Sequence, residues 1–417
     1  MNQGEADRTA VIIGGGQAGA EAATLLRQNR FEGGIMLIGS EPCLPYMRPP
    51  LSKSFLARET GKESLIYKAA AAYERAGVEL RLGAAVAEID RIAKQVRLSS
   101  GEALGYGKLV IATGGRARKL PVPGSDLPNI FYLRTIADVE DLQPHMEAQR
   151  RLVIAGGGYI GLEAAAVAVK RGLAVTVLEA APRVLARVTA PDVSSFYESI
   201  HRGAGVDIRT GVTVTGFAAG EDGAAVTVEC GGGQKFAADF VLIGIGLTPN
   251  TELAEQAGLD VDDGIVVDAA SRSSDPDIYA IGDCAKHAHH GFLRRRIRLE
   301  SVPNALEQAR AAAAAITGRA IPEAPAPWFW SDQYDLKLQM VGLSDGYDEL
   351  AIRGKMESCS FVAFYLKEGV VIAADSVNRA GDFMAAKRII GERMAIPRVR
   401  LADEAAPLKS LLQKAAA

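Results

Sequence analysis

The 417-residue sequence is poor in cysteine. Its four, Cys43, Cys230, Cys284 and Cys359, are too scattered to form a C-x-x-C or a zinc-ligand set. That spacing excludes a disulfide scaffold and a structural metal, and it fits a reducing, cytoplasmic setting. Tryptophan is scarcer still, with both copies in the single run Trp328-Phe329-Trp330. No apolar run reaches the ~18 residues of a bilayer span, so no membrane is expected. The stretch Met1–Ala10 is polar and lacks the apolar core of a secretory signal. No sign of charge dominates, and a net charge of −3 argues against nucleic acid as a bulk partner. With 48% apolar and 23% charged residues the composition is that of a globular protein, and the length allows two or three domains.

Glycine is abundant, and its placement carries the first functional signal. Val11-Ile12-Ile13 reads as a buried strand and runs into Gly14-Gly15-Gly16-Gln17-Ala18-Gly19, a G-x-G-x-x-G. A helix pattern follows over Glu21–Arg30, then a second strand at Ile35–Ile38. Gly14 permits a tight turn, Gly16 lets a pyrophosphate approach the backbone, and Gly19 lets helix and strand pack closely. The helix N-terminus then offers free N–H groups to phosphates. Glu41 lies 22 residues after Gly19, near the ~20 expected of a ribose-binding acid.

The same signature recurs. Leu152–Ala155 is a strand, Gly156-Gly157-Gly158-Tyr159-Ile160-Gly161 a second G-x-G-x-x-G, Leu162–Arg171 a helix and Ala174–Leu178 a strand ending at Glu179. Gly156 follows Gly14 by 142 residues, and Glu179 follows Gly161 by 18. Two fingerprints imply two dinucleotides, and two dinucleotides imply electron transfer between them. Glu179 favours a free ribose 2′-hydroxyl, hence NADH at the second site. Ala180 and Ala181 stand where an NADPH site wants arginine, although Arg183 is near. The flavin belongs in the first site, because a later strand, Asp277–Asp283, returns there ending in Gly-Asp. Asp283 then accepts from ribityl hydroxyls, with a helix N-cap as a compatible reading.

Between the fingerprints and after them the chain is less explicit. The run Pro42–Lys53 holds four prolines and is expected to be an irregular loop entering a helix near Leu51. Lys53 reads either as a cation held near a cofactor or as an ordinary helix-start lysine. Strands are expected at Val78–Leu82, Val86–Ile89, Val96–Leu98 and Lys108–Ile111, β-structure over Val206–Val228, and a strand at Phe240–Ile243. The glycines after the strands ending near 115 and 246 mark crossovers. They divide the chain into an FAD domain, 1–115 with 247–325, and an NADH domain, 116–246, inserted into it. Arg294, Arg295, Arg296 and Arg298 form a basic cluster, read as a solvated surface or as docking for an acidic partner. A proline-alanine linker at Pro322–Pro327 leads into a third, α+β domain over 326–417. Its tryptophans are either core or acceptor surface.

These residues resemble a known family. The runs Arg48-Pro49-Pro50-Leu51-Ser52-Lys53, Gly158-Tyr159-Ile160-Gly161-Leu162-Glu163, Glu300-Ser301-Val302-Pro303-Asn304-Ala305 and Trp328-Phe329-Trp330-Ser331-Asp332-Gln333 are similar to the pyridine nucleotide-disulphide oxidoreductase superfamily, in its oxygenase-coupled ferredoxin reductase branch. The similarity covers essentially the whole chain. It implies an α/β fold with two Rossmann-like, glutathione-reductase-like dinucleotide-binding domains plus an α+β C-terminal domain. It implies FAD held by Gly14, Gly16, Ala18, Gly19, Ser40, Glu41, Lys53, Val86, Arg134, Asp283 and Val302. It implies NAD held by Gly156, Gly158, Tyr159, Ile160, Gly161, Glu163, Glu179 and Gly246. Lys53 is implied to pair with Glu163 beside the flavin N5, with Glu300 and Trp330 near the isoalloxazine. Arg310, Trp328, Trp330, Lys387 and Lys409 are implied to form the acceptor surface for an acidic 2Fe–2S ferredoxin. One departure stands out: Ser40 occupies the place of an aspartate, so the ribose contact passes to Glu41 or to the Ser40 backbone.

The function expected is transfer from NADH through FAD to a 2Fe–2S ferredoxin that feeds a cytochrome P450 or other oxygenase, by a monomer or weak dimer. A disulphide reductase needs a C-x-x-x-x-C after the second strand, and Arg48 stands where Cys43 would need its partner. The alternatives are an NADH oxidase or peroxidase using Cys43 alone, and an NADH-sensing flavoprotein of apoptosis-inducing-factor type.

Overall fold

The computed structural model describes residues 8–220, 225–288 and 296–412. These residues form two compact units, one of Met1–Met47, Glu63–Arg116 and Thr248–Pro327, the other of Arg48–Lys62, Ala117–Leu247 and Trp328–Ala417.

The first unit is built on a five-stranded parallel sheet in the order Ile278–Ala280, Lys108–Ile111, Ala10–Ile13, Ile35–Gly39, Val78–Leu82. Alternate residues of these strands feed two separate cores. Ala10, Ile12, Ile35, Leu37 and Val110 pack with Ala20, Ala22, Ala23 and Leu26 of the helix Gln17–Gln28, and with Ala309, Ala312 and Ala313 of the helix Val302–Ile316. Val11, Ile13, Met36, Ile38, Leu109 and Ile111 pack instead with Ile89, Val96, Leu98 and Leu104 of an antiparallel three-stranded sheet. Burial on both faces is why these strands read as unbroken apolar runs. The strand Ile278–Ala280 pairs with Lys108–Ile111, so the later stretch does return to the first sheet.

The second unit repeats the plan. Its parallel sheet runs Asp207–Thr210, Ala174–Glu179, Arg151–Ala155, Phe240–Ile243, Ile130–Tyr132. An antiparallel sheet of Val214–Ala219, Val226–Cys230 and Lys235–Ala238 shares its core. The C-terminal stretch is a five-stranded antiparallel sheet ordered Trp328–Gln333, Leu336–Gly342, Val370–Val377, Ser360–Lys367, Glu349–Lys355, against which the helix Ala380–Gly391 packs.

Two local expectations need correction. No α-helix begins near Leu51: Pro49–Ser52 is a single 3-10 turn, and turns follow it. Pro49 and Pro50 can start a turn, but they contribute no N–H to extend it. Asp283 does not cap a helix either; it lies in the 3-10 turn Gly282–Cys284, and a strand, Ala285–Ala288, follows.

A tyrosine held by a buried acid ties the C-terminal sheet to the rest of the second unit. The Tyr365 hydroxyl donates to the Asp375 carboxylate and accepts from the Ala190 backbone N–H at 2.9 Å, just ahead of the helix Pro191–Gly203. Burial pushes the Asp375 carboxyl up to about 7, while the hydrogen bond from Tyr365 acts to lower it. A carboxyl raised above its unfolded value stabilises the fold fully below that unfolded value, near pH 4, and loses this contribution as pH climbs through about 7. Asp375→Asn is neutral at every pH. Denaturant unfolding at about pH 5 and pH 8 is therefore expected to show the variant gaining about 2 kcal/mol on the unmodified protein across that interval. A pH-independent difference would contradict this account.

Candidate functional site

Each unit carries one glycine turn, and the two turns share one geometry. Gly14 has φ +124°, and a Cβ there would stand 2.1 Å from the Ala112 carbonyl oxygen. Gly156 has φ +115°, with a Cβ meeting the Gly244 oxygen at 2.4 Å. A Cβ on Gly19 or Gly161 would stand 2.1 Å from the carbonyl of the turn's first glycine. Gly16 and Gly158 behave differently: a Cβ on either meets nothing within 4 Å. Both are extended helix N-caps (ψ −175° and −176°) that make no side-chain cap hydrogen bond, and neither helix has an acid in its first turn. Closed sides fix the turn. The open side is a cradle that a Cβ would fill, facing free helix N–H groups that suit a pyrophosphate. The donor set thus fits a dinucleotide in each unit.

Around the first turn, Ala18 is buried and its Cβ lies 3.2 Å from where a side chain on Gly282 would begin. Gly282 N donates to Gln308 Oε1 at 2.7 Å, and the buried Gln308 Nε2 has no protein acceptor. Val302 opens its helix behind the Ser301 cap, and Asp283 is half-buried. Val86 is half-buried at a bulge in its strand. Ser40 is exposed, and the Glu41 carboxylate accepts from the Tyr46 hydroxyl at 2.6 Å. Glu300 is exposed and paired with Arg298 Nη1 at 2.7 Å. Arg310 is exposed on the helix Val302–Ile316. Of the arginine cluster, Arg294 and Arg295 lie outside the described residues.

In the second unit, Glu179 is fixed before any ligand arrives. Its Oε2 accepts from Gly157 N and its Oε1 from Ala181 N, each at 2.7 Å. Arg183 does not face this acid; its guanidinium donates to Ser194 Oγ and to the Ala186 carbonyl. Ile160 is exposed beside the cradle, the Tyr159 hydroxyl reaches Met340 Sδ, and Gly246 has φ +113°.

The same unit contains a buried ion pair. Lys53 Nζ lies 2.7 Å from Glu163 Oε2, and Glu163, on the helix Tyr159–Lys170, is 4% exposed. Lys53 also donates to the Pro49 carbonyl. Two hydroxyls complete the shell: Ser52 Oγ donates to Glu163 Oε2, and Ser331 Oγ donates to Oε1 at 2.6 Å. The proline loop is pinned by Arg48 Nη1 on the Arg134 carbonyl (2.7 Å) and by Gln143 Nε2 on the Phe55 carbonyl (2.6 Å). Ser52 and Ser331 escaped the sequence reading as functional residues, although both sit inside the runs that carry the family resemblance.

At the C-terminal sheet, Trp328 and Trp330 are half-buried with ring centroids 5.6 Å apart. Lys387 Nζ sits 4.7 Å from the Trp328 ring centroid, and exposed Lys409 is on a short helix packed against that of Lys387. The Trp328 ring also lies 5.9 Å from that of the buried Phe383, so the tryptophans stand at the border of the core. Arg310 belongs to the other unit. Among the described residues, no set of three metal-ligating side chains assembles, and no helix is long and apolar enough to cross a membrane.

Comparison with known proteins agrees with this geometry. The family model described as pyridine nucleotide-disulphide oxidoreductase matches residues 8–309, and that described as reductase C-terminal matches residues 328–412. Putidaredoxin reductase CamA of Pseudomonas putida is 48% identical over 416 residues, spanning 99% of this chain and 98% of its own. The crystal structure of a covalent putidaredoxin reductase–putidaredoxin complex superposes with a TM-score of 0.95 at 48% identity, covering 98% of this chain and 99% of that one. The ferredoxin reductase for the CYP199A2 system of Rhodopseudomonas palustris gives a TM-score of 0.92 at 43% identity, covering 97% and 99%.

The closed and open glycines make opposite predictions. Gly156→Ala is expected to lower unfolding stability by about 3 kcal/mol, from strain and the clash with Gly244. Gly158→Ala is expected to change stability by no more than about 0.5 kcal/mol yet weaken NADH binding at least about tenfold. Thermal melting and NADH titration of both variants check the pair.

Proposed function

The chain belongs to the pyridine nucleotide-disulphide oxidoreductase family, and on that premise we propose that it is an FAD-dependent NADH:ferredoxin reductase whose ferredoxin serves a cytochrome P450 or another oxygenase. The observation that carries the reading is the pair of like glycine turns, each open only at its middle glycine. Two relatives of matching fold, one in complex with putidaredoxin and one from a P450 system, support the choice of acceptor.

The first turn, with Ala18, Asp283 and Val302, holds FAD, and the second, with Glu179, holds NADH. FAD, when bound, accepts a hydride and gives up electrons singly. The net reaction takes two electrons from NADH, delivers one to each of two ferredoxins, and releases one proton. Glu179 binds the ribose hydroxyls; a 2′-phosphate would meet its carboxylate, and Arg183 is committed elsewhere. Glu163 fixes where the Lys53 ammonium sits, and beside a bound flavin that charge would favour uptake of electrons. Lys387 and Lys409 present positive charge to an acidic 2Fe–2S partner, with Trp328 and Trp330 beside Lys387; Arg310 offers a further exposed cation on the first unit. The protein works as a monomer or weak dimer.

Anaerobic titration tests this directly. Stoichiometric NADH should bleach the flavin bands, NADPH should do so far less readily, and added 2Fe–2S ferredoxin should restore them. Absent flavin bands, or bleaching that ferredoxin never reverses, would remove the assignment. The acceptor face has its own check: Lys387→Glu with Lys409→Glu should raise the KM for ferredoxin about tenfold at low salt, with the difference fading as ionic strength rises.

A further inference from the structure

Behind Glu163 a line of polar side chains runs inward, all within the second unit. Ser331 Oγ is 2.6 Å from Glu163 Oε1, Gln333 Nε2 is 3.2 Å from Ser331 Oγ, Gln333 Oε1 is 2.9 Å from His201 Nε2, and the Tyr334 hydroxyl is 3.0 Å from His201 Nδ1. Ser331, Gln333 and His201 are 0%, 1% and 0% exposed. None of the chain's members is left with a buried polar atom lacking a partner.

The direction of every bond follows from the first. A carboxylate can only accept, so Ser331 spends its proton on Glu163. Ser331 Oγ must then accept, and only the amide nitrogen of Gln333 can donate to it. That turns the Gln333 oxygen toward His201, whose Nε2 must carry a proton. Burial holds the His201 pKa below its ordinary value, against the Gln333 hydrogen bond that acts to raise it, so the imidazole is neutral at pH 7. Its Nδ1 is therefore an acceptor and takes the Tyr334 proton. Every donor in the line points toward Glu163, and bonds aligned in this way polarise one another in a buried setting.

We propose that Ser331, Gln333 and His201 are positioning residues for hydride transfer, forming a one-way hydrogen-bonded chain that fixes the Glu163 carboxylate and, through it, Lys53. The proposal rests on the reductase reading above. A carboxylate held only by Lys53 and Ser52 would be free to rotate about its Cγ–Cδ bond and carry the ammonium with it. The chain locks the far oxygen, so the ammonium has one place to be. His201 anchors the line from the helix Pro191–Gly203.

The experiment uses Ser331→Ala, which deletes one oxygen, in the flavin-loaded protein, alone and combined with Glu163→Gln. In rapid mixing at saturating NADH, S331A should slow flavin reduction about tenfold, as loss of a hydrogen bond to a buried charge predicts, while the NADH Kd stays within about twofold. In the E163Q background S331A should change the rate by less than about twofold, because its effect passes through Glu163. Nitrogen-15 NMR of the imidazoles supplies a readout apart from turnover. His201, one of five histidines, should be a neutral Nε2–H tautomer, and its resonance should move on E163Q but not on E163Q in the S331A background. Equal loss from S331A in both backgrounds, an unchanged rate, or an Nδ1–H tautomer would overturn the proposal. Failure of NADH to reduce the unmodified flavoprotein would instead strike the reductase reading, leaving the NMR coupling to judge the chain.

Discussion

A carboxylate almost wholly out of water is the constraint on which the second unit depends. Removing such a charge from solvent is costly unless it is paired and fully hydrogen-bonded. Glu163 meets that demand with groups from remote stretches: Ser52 and Lys53 lie about 110 positions before it, and Ser331 lies 168 after it. Satisfying one acid therefore recruits the proline loop and the C-terminal sheet to the nucleotide-binding half. The loop segment Arg48–Lys62 and the stretch from Trp328 onward both fall in the same compact unit as Glu163. Further bonds, from Arg48 to the Arg134 carbonyl and from Gln143 to the Phe55 carbonyl, fix the loop's course.

The glycine turns solve a different problem, the close passage of backbone past backbone. In both units the first glycine's positive φ and the last glycine's missing side chain let strand, turn and helix meet at distances no Cβ would survive. Only the middle glycine is free of this packing. Its lack of a side chain answers to a ligand instead of the fold, which separates binding from architecture within six residues.

Sequence alone exposed what is local. Apolar runs located eight of the ten strands of the two parallel sheets and the two helices that open on glycine turns, because burial on both faces leaves a continuous signal. The α/β fold was legible for that reason. Asp207–Thr210 fell within a stretch read only as β-structure, and the short edge strand Ile130–Tyr132 went unread. The proline turn at Pro49–Ser52 was misread as a helix entry, since an apolar Leu51 and a following lysine imitate one. The placing of the Lys387 ammonium over the Trp328 ring, a contact spanning 59 positions, was not legible in the sequence. Ser331, Gln333 and His201 were invisible for the same reason. A serine in a strand or a histidine in a helix has no periodicity, and its meaning lies in a partner more than a hundred residues away.

Glu179 shows how ligand choice can become tied to folding. Its two carboxylate oxygens hold the Gly157 and Ala181 amides, so the acid proposed to meet the ribose is also a brace for the turn. A lineage drifting toward a phosphorylated coenzyme would have to give up that brace before it gained a cation, since Arg183 is already spent on Ser194 and Ala186. The first step along such a path loosens the loop and gains nothing. A coenzyme preference set at Glu179 would thus be held in place by mechanics, and an engineer wishing to change it must rebuild the turn first.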